Sequence, residues 1–397
     1  MGKPAVLYIS YDGMLEPLGQ SQVIAYLDKL SPCFAFDLVS FEKAHDWRDR
    51  VRRKAMAERL RAAGIRWHPL RYHKAPTVPA TAYDVARGTA LAIAIALRRR
   101  TRIVHARSYL PALIGLQVKR LTGAKLLFDM RGFWGDERVD AGLWDASGRI
   151  YRQVKALEQR LLLASDAIVT LTHASVAVIR SFPYLAGRSL RLRVIPTCAD
   201  LDRFAPRPEA LPEPLTLGYV GSVGTWYLFD EVLECFRLLQ ARRPDARLLI
   251  VNRDEHGFIR ERLAAHGATS SSIELIAAGH GEMPGIIARM SAGAAIIAPF
   301  YSKIASAPTK LAEYLGCGIP CLGNVGVGDM AQILEGEAVG AALQDYTPAA
   351  RSEAVDRLLA LLADPATPAR CRATAERLFS LEGGAAEYRA AYEELLA

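Results

Sequence analysis

Ser306-Ala307-Pro308-Thr309-Lys310-Leu311-Ala312-Glu313-Tyr314-Leu315-Gly316-Cys317-Gly318-Ile319-Pro320 lies between two apolar runs, 294–299 and 320–322. The runs read as short buried strands and the segment between them as a helix. Pro308 suits the first turn, and Gly316, Gly318 and Pro320 end the helix. Thr309 and Glu313, four apart, share one face with Lys310 beside them, while Leu311 and Leu315 take the core side. A cation in the first turn opposes the positive end of the helix dipole, at a cost of roughly 0.3–1 kcal/mol. The placement makes sense where an anion binds, because helix amides and a lysine together form a phosphate site. Glu313, one turn deeper, would then accept hydrogen bonds from two neighbouring hydroxyls, as on a ribose. A solvent-facing Lys310–Glu313 pair is the alternative reading of the same residues.

Outward from this segment, strands and helices alternate through both halves of the chain. A strand at 6–10 leads into a loop, 11–20, with Gly13 and Gly19, and then a helix, 21–30. Strands follow at 36–41, 65–70, from 103, at 125–128 and at 167–171. Between them lie helices at 46–63, 82–97, 110–121 and 148–164. The series restarts at Leu215 with another strand and a loop holding Gly221 and Gly224. A helix from Asp230, strands at 247–251 and 273–276, and a helix at 283–290 continue it. This order predicts an α/β protein with two Rossmann-like, doubly wound parallel sheets facing a cleft. A chain of 397 residues exceeds one ordinary core. The expected domains are 1–205 and 206–375, with a proline-rich hinge at 197–212 and a final helix at 376–397 crossing back to the first.

Charge is unevenly spread. Residues 1–205 hold 33 Lys+Arg against 18 Asp+Glu, and residues 206–397 hold 17 against 24. The excess is sharpest over 45–107, with 16 basic and 4 acidic residues, so the first half suits an anionic partner. No basic–aromatic motif of a nucleic-acid module appears, which argues against a polyanion-binding scaffold. The apolar run 90–97, capped by Arg98, Arg99 and Arg100, is shorter than the ~20 residues that span a bilayer. It reads as a membrane-surface helix or as a buried helix. The N-terminus shows no signal-peptide pattern and the six cysteines form no C-x-x-C pair, so a cytoplasmic protein with reduced thiols is expected.

A second charged stretch, Asp129-Met130-Arg131-Gly132-Phe133-Trp134-Gly135-Asp136-Glu137, comes directly after a strand. Open α/β sheets place their sites at such strand ends, and Phe133 and Trp134 suit a sugar face. The four charges pairing among themselves as a structural knot is the other reading. His173 reads as a plain surface histidine in a loop.

Taken together, the chain resembles the GT-B glycosyltransferases of family 4. The resemblance rests on YDGMLEPLGQSQV from Tyr11, VIPTCADLDRF (194–204), LGYVGSVGTWY (217–227), HGEMPGIIARMSAGAAIIAPF (280–300) and APTKLAEYLGCGIP (307–320). It implies a retaining, metal-independent transferase without a cofactor, using a UDP- or GDP-sugar. The acceptor would be a hydroxyl on a glycan or polyprenyl-linked substrate of bacterial polysaccharide or glycolipid synthesis, met peripherally at the inner membrane face.

By that resemblance Glu313 binds the ribose, and Ser306, Thr309 and Lys310 lie against the diphosphate or sugar. Gly13, Gly19, Ser222, Tyr227, Arg253 and Met283 also line the donor, and Asp129, Arg131, Glu137 and Lys310 serve catalysis. Two departures stand out. The earlier glutamate of the family's acidic pair falls on Ala305, and its donor-loop arginine and lysine fall on Ser222 and Tyr227. Lys310, Lys303 and Arg253 are then the cations left for the diphosphate. A nucleotide-sugar epimerase of the same fold is the alternative enzyme.

Overall fold

The computed structural model describes residues 2–206, 212–267, 270–279 and 281–397. It forms two compact units, Met1–Ile195 with Leu381–Ala397, and Pro196–Ser380. The division therefore falls at Ile195/Pro196 rather than 205/206. The terminal helix, Leu381–Leu396, belongs to the first unit. Residues 207–211 of the expected hinge lie outside the described residues.

In the first unit seven strands pair in parallel: β1 (Ala5–Ser10), β2 (Ala35–Glu42), β3 (Arg66–Arg71), β4 (Ile103–Arg107), β5 (Lys125–Asp129), β6 (Ala167–Thr170) and β7 (Leu192–Val194). Their order is β3-β2-β1-β4-β5-β6-β7. The second unit has β8 (Thr216–Val220), β9 (Arg247–Val251), β10 (Ile273–Ile276), β11 (Ala292–Ala294), β12 (Cys321–Asn324) and β13 (Gly340–Leu343). Their order is β10-β9-β8-β11-β12-β13, again parallel. Both are Rossmann-like, doubly wound α/β sheets. Helices cover both faces, so Val6–Ile9 and Leu248–Ile250 are continuous buried runs with no polar face. Strand order reverses at β1/β4 and at β8/β11, and the crevice beyond those strand ends is where such sheets bind ligands.

Several elements differ from the sequence reading, each for a local reason. The strand expected at 294–299 is Ala292–Ala294. Beyond it the Asn324 side chain takes the place of a neighbouring strand, accepting from Ile297 N and donating to Ile297 O, both at 2.8 Å. On the other side Ala298 N donates to Trp226 O (2.7 Å). The basic helix 46–63 is two pieces, Ala44–Arg48 and Arg50–Ala62, because Asp49 leaves the helix and caps the second piece through Arg52 N (2.9 Å). The helix at 283–290 ends at Ile287. His173 is exposed but opens a helix, His173–Arg180, whose cap is Thr172.

Helix Thr77–Arg99 is longer than expected, and is long and apolar enough to cross a membrane by length and composition only. One stripe, Ala80, Asp84, Gly88, Ala92, Ile95 and Ala96, is buried against helix Tyr109–Thr122. Gly88 permits the approach, since a Cβ there would lie 2.9 Å from both Ile114 Cδ1 and Phe41 Cζ. Val78, Tyr83 and Leu97 remain exposed, so the helix, the run 90–97 included, is buried along one stripe only.

Candidate functional site

In the second unit the site grows from the end of β8. Gly221 turns the chain at φ +112°, a conformation that suits glycine. The loop is tied to the end of β9. Asn252 Nδ2 donates to Gly221 O (3.0 Å) and Glu255 Oε2 (2.8 Å), and that carboxylate accepts from Val223 N (3.1 Å). Against this loop stands helix Thr309–Gly316, with Pro308 as its capping position rather than its first turn.

The helix has no solvent-facing side: every residue from Lys310 to Gly316 is buried. Lys310 is 8% exposed and Glu313 7%, and no ion pair joins them, so the solvated-pair reading fails. The Lys310 ammonium lies 4.7 Å from the Tyr219 ring centroid and 4.6 Å from that of Tyr227. A Cβ on Gly221 would sit 3.4 Å from Nζ. Among the described residues Nζ makes no hydrogen bond. Two aromatic faces soften the burial of a charge but accept none of its three N–H bonds. Burial pushes the Lys310 ammonium down to about 8 and the Glu313 carboxyl up to about 7, the latter against the opposing pull of Lys310. A buried cation with unspent donors beside a glycine turn is arranged for an anion.

The remaining donor-side candidates fall around this centre unequally. Tyr227 faces Lys310 directly. Lys303 is buried with its ammonium 4.0 Å from the Trp226 ring. Ser306 and Thr309 are half-buried at the helix entry, Ser222 and Arg253 are exposed, and Ala305 is buried. Met283 packs in the apolar core. His280 lies outside the described residues. Asn252 and Glu255, which hold the glycine loop, carried no signal in the sequence beyond standing at a strand end.

In the first unit the charged stretch sits at the ends of β4 and β5. Asp129 is fully buried: Oδ2 accepts from Tyr388 OH (3.0 Å) and from His105 Nε2 (3.4 Å). Because Nε2 faces the Asp129 carboxylate it carries the proton, and Nδ1 of the neutral ring is left to accept from Tyr392 OH (2.6 Å). Burial lowers the His105 pKa. Burial also works to raise Asp129, but Arg131 and His105 outweigh it and hold the carboxylate below its ordinary range. Asp129 Oδ1 makes no hydrogen bond and faces Arg131 Nη1 at 3.9 Å. Arg131 itself adopts φ +60°, at a cost of roughly 1–3 kcal/mol. Beside it Arg107 pairs with Asp12, and its buried Nε has no partner among the described residues.

The four charges of this stretch do not form one knot. Asp136 instead accepts from Tyr151 OH (2.7 Å) and Lys155 Nζ (3.0 Å), and Glu137 is half-buried on the short helix Trp134–Asp140. Phe133 is fully buried and offers no face to a sugar; Trp134 packs on Tyr109 and Trp144. The packing of the first loop requires both of its glycines. A Cβ on Gly19 would lie 2.1 Å from Gly13 O, and one on Gly13 would lie 2.7 Å from Glu42 Oε2. Glu42, unnoticed in the sequence, is the buried anchor, accepting from Met14 N (2.9 Å) and Ser40 Oγ (2.6 Å). Tyr388 and Tyr392 were equally hidden, because only the return of the last helix to the first unit brings them to Asp129.

No family model and no curated protein sequence matches the chain. Solved structures do. Sucrose-phosphate synthase from Thermosynechococcus elongatus aligns with TM-score 0.76 and 16% identity over 99% of each chain. Anabaena HepE, in complex with UDP and glucose, aligns with TM-score 0.67 and 13% identity over 98% of this chain and 100% of that one. A putative UDP-N-acetylglucosamine 2-epimerase from Listeria monocytogenes aligns with TM-score 0.62 and 13% identity over 99% and 96%. The class of architecture is therefore GT-B, two Rossmann-like units in one chain. Identities this low speak for the fold, which transferases and an epimerase share.

Proposed function

We propose that the protein is a retaining glycosyltransferase that takes a sugar from a UDP- or GDP-sugar to a hydroxyl of a glycan or lipid-linked acceptor. The observation that carries this reading is the buried Lys310 ammonium, without a hydrogen-bond acceptor, at the amino end of a helix and against the Gly221 turn. A nucleoside diphosphate supplies the missing partners: phosphate oxygens for Nζ and the helix amides, and ribose hydroxyls for Glu313. During transfer the bond from the anomeric carbon to the diphosphate breaks, the acceptor oxygen bonds to that carbon and gives up its proton to the leaving phosphate, and negative charge grows on the leaving oxygen. Fixed donors aimed at that oxygen lower the barrier without reorganising. Lys310 and the helix amides thus carry the leaving-group charge, and EDTA should leave the rate unchanged.

In the first unit Arg131, held by Asp129, offers guanidinium donors to sugar or acceptor oxygens. Glu137, on the short helix Trp134–Asp140, is the remaining acidic candidate there. The epimerase reading uses the same nucleotide site but gives no role to a strongly basic first half. That excess suits an acceptor or a membrane face carrying negative charge, with synthesis of cell-surface polysaccharide or glycolipid at the inner face of a bacterial membrane. The test is a thermal-shift screen of UDP, GDP and their sugars, followed by product analysis of the hit. A nucleotide sugar bound at 100 times its Kd should add about 2.7 kcal/mol. Release of free nucleotide with transfer supports a transferase, whereas an epimerised nucleotide sugar with no transfer supports the epimerase.

A further inference from the structure

A second constellation in the first unit has no part in the donor chemistry. His73 lies just beyond β3, and Asp84 projects from helix Thr77–Arg99 with no exposed surface. The carboxylate grips His73 twice: Oδ1 against ring Nδ1 at 2.6 Å and Oδ2 accepting from the backbone N–H at 2.8 Å. Tyr11 OH donates to the same Oδ2 (3.3 Å). With Nδ1 committed to Asp84, Nε2 turns outward, an acceptor when the ring is neutral and a donor when it is protonated. The imidazole side chain is 31% exposed, and among the described residues Nε2 has no partner.

Tyrosines gather about the His73–Asp84 pair. Tyr83, 53% exposed, meets it edge-on with centroids 5.3 Å apart, and Arg87 lies over the Tyr83 face at 5.5 Å. Tyr11 and Tyr72, both half-buried, form a T-shaped pair at 5.6 Å. Tyr11 follows β1 and Tyr72 follows β3, so the group stands at the carboxyl edge of the parallel sheet, where α/β ligands bind. A purely structural role explains the bonds that satisfy buried Asp84. It does not explain why a ring that needs only its Nδ1 for Asp84 leaves its other nitrogen turned outward beside exposed Tyr83.

We infer that His73, oriented by Asp84 and flanked by Tyr83, Tyr72 and Tyr11, forms a saccharide subsite for the acceptor. A sugar hydroxyl donates to His73 Nε2 while the apolar C–H face of the ring lies on tyrosine. This inference rests on the transferase reading, since the donor site occupies the other unit, and it narrows the acceptor to one presenting a sugar at this place.

The test is saturation-transfer NMR on the full chain with methyl glycosides of glucose, galactose and N-acetylglucosamine, beside calorimetry with UDP-glucose and GDP-mannose. His73→Asn and Tyr83→Ala are compared with wild type. Asn keeps an N–H for Asp84 and removes only the outward acceptor, so a structural role would not register it, and equal melting temperatures verify the fold. The expected result is saturation of at least one glycoside in wild type, weakened about tenfold by His73→Asn, the loss of one ligand hydrogen bond, with nucleotide-sugar binding unchanged. No saturation of any glycoside by wild type, or full saturation by His73→Asn, overturns the subsite. Absence of nucleotide-sugar binding in wild type overturns the transferase reading instead, so the two failures are distinct.

Discussion

Replacing Lys310 by Met should make the ligand-free protein more stable while abolishing nucleotide binding. Burial holds the ammonium near 8 instead of 10.5, which corresponds to about 3 kcal/mol lost by keeping the charge inside at neutral pH. Attraction to the Tyr219 and Tyr227 faces offsets roughly 0.5–2 kcal/mol of that. Met fills nearly the same stem volume without the charge, so a net gain of about 1–3 kcal/mol remains. For a unit of this size that raises Tm by roughly 2–4 °C per kcal/mol. The pH dependence has a definite sign. Between pH 8 and 10.5 the unfolded chain holds a proton on Lys310 that the folded chain lacks, so wild-type stability rises with pH there. The advantage of the Met variant is full below pH 8 and shrinks towards pH 10.5. Differential scanning fluorimetry from pH 6.5 to 10, with and without UDP, reads both effects. A variant less stable than wild type at pH 7, or one that keeps the UDP-induced shift, would refute the reasoning.

Other perturbations address separate contacts. Glu313→Gln should remove most of the nucleotide-induced Tm shift. Because burial raises this carboxyl to about 7, the substitution should also stabilise the free protein above pH 7, where wild type buries the charged form. Tyr388→Phe deprives buried Asp129 of a donor and should cost about 1–3 kcal/mol by thermal or chaotrope unfolding. Arg131→Gly relieves a left-handed backbone but strips buried Asp129 of the cation that holds it charged, so Tm should fall and the transfer rate should fall at least about tenfold. Gly19→Ala drives a methyl into the Gly13 carbonyl, and soluble yield should drop sharply at an unchanged φ of −61°.

Both sheets were legible because buried parallel strands announce themselves as apolar runs separated by helix-length segments. Lys310 was legible as a candidate for a similar reason: a lysine in a first helical turn contradicts the dipole, and a contradiction of local physics marks a candidate site. The depth of that site was not, since nothing within 308–316 reveals that the polar side of the helix is covered by Tyr219 and Tyr227 from another strand and loop. Phe133 shows the opposite error, an aromatic beside charges that the fold spends on its core. Gly13 and Gly19 look alike in sequence whether or not their own loop demands them, and the close approach of Gly13 O and Glu42 shows that it does. The Asp129–His105–Tyr392 chain joins residues as much as 287 apart, beyond any local pattern.

The most direct measurement is a crystal structure of the full chain with UDP-glucose. The account predicts diphosphate oxygens within hydrogen-bond reach of Lys310 Nζ and of the first amides of helix Thr309–Gly316, with both ribose hydroxyls on Glu313. A nucleotide bound elsewhere, or Lys310 still enclosed by Tyr219 and Tyr227 with no phosphate contact, would contradict it.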